Sequence, residues 1–299
     1  MARSRSHSQS QNAGQIADVD ALLARCTFNA DGPLVCAVSG GPDSMAMLVL
    51  ACHTGRPVTA FHVDHGLRPG SDAEVDLVRA VADRFGANVE SVRVDLDDGP
   101  NLEARAREAR LSVLPPDVLF GHTADDRAET VLLALLRGSG LDGVSSMGST
   151  TRPILALRRT DTHALCASLQ LVVVDDYHNY ENRFRRVRVR HELMPLLNDI
   201  AERDVVVLLD RFADVAGEDA RLLDELASRI DPADCRQLKA APLPIARRAL
   251  RSWLRTEIPL DQNATERALA VALGSMLATE LPGKRRLTRS GQRLRLESS

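Results

Sequence analysis

Apolar residues occur first in short continuous runs and later at helical spacing. The run at 34–38 reads as a buried parallel strand, and from Ser44 the apolar positions follow a helical period. Further strands are predicted over 57–63, 89–94, 118–120 and 169–174. Helices are predicted over 15–28, 71–85 (opened by a capping box at Ser71 and Glu74), 101–114, a stretch ending at Arg137, and 161–168. Strands alternating with helices at this spacing predict an α/β fold, a doubly wound parallel five-stranded sheet. In such sheets ligands bind at the carboxyl ends of the strands, and here the loops after strands one, two and four hold the polar residues.

Beyond Met194 the pattern changes to helices without intervening strands, over 202–230, 243–256 and 263–275. Pro282-Gly283 and Ser290-Gly291, set among alternating basic and apolar residues, predict a terminal hairpin. The expected organisation is a tail over 1–14, an α/β domain over 15–195 and a smaller, mostly helical domain over 196–299.

Composition narrows the class. Apolar content of 44% and charged content of 26% suit a water-soluble globular protein. No apolar run approaches the roughly 20 residues of a membrane span. Residues 1–11 are rich in Ser, Gln and Arg without the apolar stretch of a secretory signal. The five cysteines form no CxxC pair, which fits a reducing cytoplasm and counts against sulfur-relay chemistry. Net charge is only −3, yet five arginines fall within residues 183–190 and six basic residues within 284–295. Arginine forks match phosphate oxygens, and Phe184 within the first cluster can stack on a base.

The chemistry concentrates in three loops. Ser39-Gly40-Gly41-Pro42-Asp43-Ser44 leads from a strand into a helix, so backbone N–H groups and the positive helix end point at one phosphate-sized spot. Asp43 would repel a bare phosphate, but a carboxylate there makes sense with Mg²⁺ between the two. Asp125 and Asp126 begin another helix after strand four, and a second carboxylate there could share the ion. His62 and Asp64 alternate with Val63 and His65 across a strand end, so that motif cannot aim all its polar groups at one ligand. Glu103, Arg107 and Arg110 share neighbouring helix faces, the ordinary pattern of a solvated salt-bridged helix.

Together these segments resemble the tRNA(Ile)-lysidine synthetases of the N-type ATP pyrophosphatase (PP-loop) superfamily. The resemblance runs colinearly over roughly residues 33–197: SGGxDS at 39–44, HVDHGLR at 62–68, NxExxARxxR from Asn101, GHxxDD with ET at 121–130, RPLL-like residues from Arg152, and DxxNxxxxFxRxxxR from Asp176 to Arg190. Thr123, Arg127 and Val187 stand where histidine, glutamine and asparagine are common.

The resemblance implies a ligase using ATP and Mg²⁺. It would join free L-lysine to C2 of the wobble cytidine of a tRNA(Ile) with a CAU anticodon. An adenylated intermediate would form, and pyrophosphate and then AMP would be released. It further implies that Ser39, Gly40, Gly41, Pro42, Asp43, Ser44, His62, Asp64, His65 and His122 bind ATP. Asp43 and Asp126 would hold the metal and act catalytically with Arg107, while Arg183, Arg186, Arg188 and Arg190 would bind tRNA. A homodimer is one assembly open to it. The alternatives are another PP-loop adenylating, tRNA-modifying enzyme and a non-catalytic nucleotide-sensing module.

Overall fold

The computed structural model describes residues 18–28, 31–64, 71–94, 105, 109, 111–148, 150–174, 185–255 and 260–298. The chain divides into two compact units, the first reaching Ala213 and the second spanning Asp214–Ser299.

In the first unit, four parallel strands form one sheet in the order β3-β2-β1-β4: β1 Leu34–Ala37, β2 Val58–Asp64, β3 Asn88–Arg93 and β4 Leu119–Phe120. Leu34 pairs with Val58 across β1 and β2, and Cys36 with Leu119 across β1 and β4. The predicted fifth strand forms no ladder among the described residues. Residues 169–170 turn instead, and Val174 N–H makes a single bond to the Gly40 carbonyl at 2.9 Å. Its apolar residues serve as packing, with Leu169, Leu171 and Val173 set against the core.

The helices described follow the predicted order, while most of the predicted helix 101–114 lies outside the described residues. α1 (Val19–Leu23) is capped by Asp18, α2 is Pro42–Cys52, and α3 is Ser71–Phe85. α4 is Ala124–Leu136 and α5 is Arg159–Ser168. α2 is apolar on all sides from Met45 to Ala51, and every one of those residues is buried, as such a helix requires. Arg185–Arg188 begins α6, which passes through a π-turn at Val189–Leu193 and continues over Met194–Ala201. α7 is one long helix, Val205–Ser228.

The second unit packs α8 (Cys235–Ala240), α9 (Leu243–Trp253) and α10 (Gln262–Leu273) around Leu238, Leu250, Leu254 and Leu287. Its sheet has three antiparallel strands, β5 Ala278–Leu281, β6 Arg285–Ser290 and β7 Arg293–Ser298. The expected hairpin is β6–β7. The extra strand, β5, precedes a turn in which Gly283 and Lys284 both take positive φ. Four residues with only Thr279 and Leu281 buried are too short to show an alternating pattern.

Candidate active site

Two loops meet at the carboxyl ends of β1 and β4. After β1 the chain turns through Gly40 at φ +85°, a left-handed conformation that suits glycine, into α2 with Gly41 as its N-cap and Pro42 at its start. The Ser44 hydroxyl donates to the Gly41 carbonyl at 2.9 Å and accepts the Ser39 N–H at 3.2 Å. The Ser39 hydroxyl lies 3.3 Å away. After β4, Gly121 passes against the start of α2. A Cβ at position 121 would lie 2.8 Å from Ser44 Cα and 2.9 Å from the Asp43 carbonyl oxygen. This close backbone approach brings the start of α4, with Asp126, beside Asp43.

Three carboxylates and three guanidiniums then interlock. Asp126 closes a capping box on α4, accepting the Thr123 N–H at 2.9 Å and its hydroxyl at 3.1 Å through Oδ2. Its Oδ1 accepts Arg159 Nη2 at 2.9 Å and Arg186 Nη2 at 3.0 Å. One helical turn on, buried Glu129 accepts Arg159 Nη1 at 3.1 Å, Arg186 Nε at 2.8 Å and Arg190 Nε at 2.7 Å. Asp43 Oδ1 accepts the Thr162 hydroxyl, and Asp43 Oδ2 lies 3.8 Å from Arg159 Nε.

The electrostatics separate the two aspartates. Burial pushes the Asp43 carboxyl above its ordinary range; the Thr162 hydrogen bond opposes the shift, and Asp126 adds to it. Burial acts on Asp126 in the same sense, but Arg159 and Arg186 outweigh it and hold the carboxyl low. Asp125 is also held low, because Arg158 grips it with two bonds of 3.0 Å and the Arg159 N–H adds one of 2.8 Å.

Residues 13–197 match the description of a PP-loop domain. The tRNA(Ile)-lysidine synthase of Mycolicibacterium paratuberculosis is 44% identical over 236 residues, covering 73% of this chain and 73% of that protein. The enzyme of the same name from Nocardia farcinica is 44% identical over 237 residues, covering 73% and 74%. The chain belongs to the tRNA(Ile)-lysidine synthase family. Its fold is also similar to that of the U34-tRNA thiolase NcsA from Methanococcus maripaludis, with a TM-score of 0.55 at 14% identity over 67% of this chain and 78% of that one.

Within that family frame, the residues singled out by sequence fall into several groups. Residues 39–44 lie beside the start of α4, and Asp126 acts electrostatically on Asp43 and shares Arg159 with it. His62 is buried, and its Nδ1 lies 2.8 Å from the Val38 carbonyl, so its ring ties β2 to the end of β1. Asp64 lies 3.6 Å from Arg93. His122 stacks on Phe120, and its Nδ1 accepts Arg152 Nε at 3.2 Å. His65, Arg107 and Arg183 lie outside the described residues.

The arginine cluster divides. Arg188 is exposed and pairs with Glu192 one turn on, whereas Arg186 and Arg190 point into the carboxylates. Arg127, where the family commonly has glutamine, is buried and donates to Asp210 Oδ1 of α7 at 2.8 Å. Arg158, Arg159 and Thr162 of the site carry no motif signal: they follow the RPLL-like residues as an ordinary helix start. Among the described residues no group of three or more His, Cys, Asp or Glu is placed to hold a metal ion, and no helix is long and apolar enough to cross a membrane.

Proposed function

We propose that this chain uses ATP to join free L-lysine to C2 of the wobble cytidine of a tRNA(Ile) bearing a CAU anticodon. The observation that carries the reading is the meeting of Asp43 and Asp126 over a glycine phosphate loop, in a chain of this family.

ATP lies with its phosphates at the Gly41 end of α2, where free N–H groups and the helix dipole receive anionic oxygens, flanked by the Ser39 and Ser44 hydroxyls. The cytidine C2 oxygen attacks the α-phosphorus, the bond to the β-phosphate's bridging oxygen breaks, and pyrophosphate leaves. The ε-amine of lysine, in its neutral form, then attacks C2. The C2–O bond breaks, AMP departs with that oxygen, and the surplus amine proton passes to solvent.

Asp43 and Asp126 suit Mg²⁺: a cationic group, Arg159, already spans them, and this ion commonly takes one or two carboxylates plus phosphate oxygens. Bound there, it would neutralise the triphosphate as charge builds on the leaving group. Arg183 and the exposed Arg188 are assigned to the tRNA backbone, with the basic strands β6 and β7 of the appended region 196–299 as further contacts. Sulfur transfer suits the chain poorly, since burial pushes the thiols of Cys26, Cys36 and Cys166 up to about 12. We assign the reaction to the cytoplasm, where ATP, lysine and tRNA meet.

Radiolabelled lysine, ATP and a wobble-cytidine tRNA(Ile) transcript test the reading. Label should enter the RNA with stoichiometric pyrophosphate release, and a wobble-uridine transcript should take none. Tight tRNA binding with no lysine incorporation would overturn it.

A further inference from the structure

Arg159 reaches every carboxylate of the site: Nε is 3.8 Å from Asp43 Oδ2, Nη2 is 2.9 Å from Asp126 Oδ1, and Nη1 is 3.1 Å from Glu129 Oε1. Arg186 and Arg190 contact Asp126 and Glu129 from the other side. One guanidinium therefore spans the two groups assigned above to the metal. We propose that Arg159 holds the cation position between Asp43 and Asp126 while no nucleotide is bound, and yields it when the metal arrives with ATP. The inference rests on the assignment of those two aspartates to the metal.

Three features of the site carry it. Two like-charged carboxylates brought this close need a counter-ion, and a guanidinium is less costly to desolvate than a small hydrated ion. Among the described residues only Asp43 and Asp126 face that position, because Glu129 is held by Arg186 and Arg190 and no group of three is placed to hold a metal ion. Phosphate oxygens must supply the rest. Arg159 also has somewhere to go, because with Glu129 and Arg190 it lines a cavity of about 160 Å³ to which no residue of the phosphate loop contributes. When it leaves, Arg186 and Arg190 remain on Glu129 at 2.8 and 2.7 Å, so the buried carboxylate keeps its partners. The consequence is an order of events: metal alone is excluded, and metal with nucleotide is admitted.

The test is binding of Mn²⁺, followed by electron paramagnetic resonance, with and without a non-hydrolysable ATP analogue. The Arg159→Gln protein should bind Mn²⁺ without nucleotide at least about tenfold more tightly than the unaltered protein, because the competing charge is gone. Adding Asp43→Asn should abolish that gain. Arg159→Lys keeps a charge for the buried carboxylates but cannot span them. It should give a smaller gain, and it serves if the glutamine variant does not fold. Unchanged or weaker nucleotide-free binding in both variants would overturn the exchange, marking Arg159 as a fixed structural clamp. If the analogue brings no Asp43-dependent Mn²⁺ to the unaltered protein, the metal assignment itself falls.

Discussion

Thr162 donates its hydroxyl to Asp43 Oδ1 across 119 positions of sequence, so α5 helps to aim the carboxylate at the phosphate loop. Burial also makes Asp43 less willing to ionise than an ordinary aspartate. The Asp43→Asn protein should keep its fold and lose metal-dependent pyrophosphate release by a factor of at least about 10². The folded value of Asp43 lies above its ordinary 3.8. Its contribution to stability is therefore full below that value and lost as pH rises through the folded one. The variant should accordingly be at least as stable as the parent at pH 7, an advantage that fades below about pH 4. Calorimetry across that range decides it, and a melting temperature several degrees lower at neutral pH would contradict the account.

Asp126 runs the other way. Burial opposes its ionisation, but Arg159 and Arg186 hold the folded value below 3.8. Its stabilisation is present above that ordinary value and is lost as pH falls through the folded one. Denaturant midpoints should fall as pH drops below about 4, and Asp126→Asn should flatten that slope while lowering stability at neutral pH. An unaltered acid slope in the variant would remove Asp126 from the ion-paired cluster.

Gly121→Ala puts a methyl group 2.8 Å from Ser44 Cα, where only backbone can give way. The two loops should part, with a stability loss of about 1–3 kcal/mol and a raised KM for ATP. Chemical denaturation and initial-rate kinetics read both effects. A fully active, fully stable variant would mean that the loops do not need this contact.

Arg127 and Asp210 join α4 to α7 through a 2.8 Å bond with Arg127 buried. Removing Arg127 alone should destabilise by about 1–3 kcal/mol, discounted because Asp210 is partly exposed. A double-mutant cycle with Arg127→Met and Asp210→Ala should give a coupling above about 0.5 kcal/mol. Strict additivity would leave the arginine as packing only.

The split of the arginine cluster is testable by contrast. Arg188→Ala should reduce the slope of log affinity for tRNA against log salt by about 0.9 and spare ATP turnover. Arg186→Ala leaves Asp126 and Glu129 short of a partner, so it should lower turnover and stability together. If both variants changed only the salt slope, Arg186 would belong to the RNA surface after all.

The strand, turn and helix of β1 and α2 were readable because a continuous apolar run, a glycine turn and a long apolar stretch each leave a local record. The pairing of Asp43 with Asp126 was readable from the shared sheet edge. Nothing local announces Arg159 or Thr162: their partners are set by how α5 folds back, and Arg158-Arg159 resembles any solvated helix start. The cluster at 183–190 misled in part for the same reason. Composition shows five like charges but not the two buried acids, Asp126 and Glu129, that receive two of them. Strand β5 and the single bond at Val174 were hidden by shortness, since a ladder of four residues or one hydrogen bond leaves no period to read.

Val174 has a bearing on how this sequence can change. Its Cγ2 stands 2.8 Å from where a Cβ on Gly40 would be, and its N–H bonds the Gly40 carbonyl at 2.9 Å. Trimming Val174 to alanine would clear the space but leave φ at +85°, still adverse to any side chain. Position 40 is thus shut by two independent locks, and no single substitution elsewhere opens both. A lineage carrying this loop could abandon the glycine only by rebuilding the backbone turn and its valine wall together, a step that gradual drift does not offer.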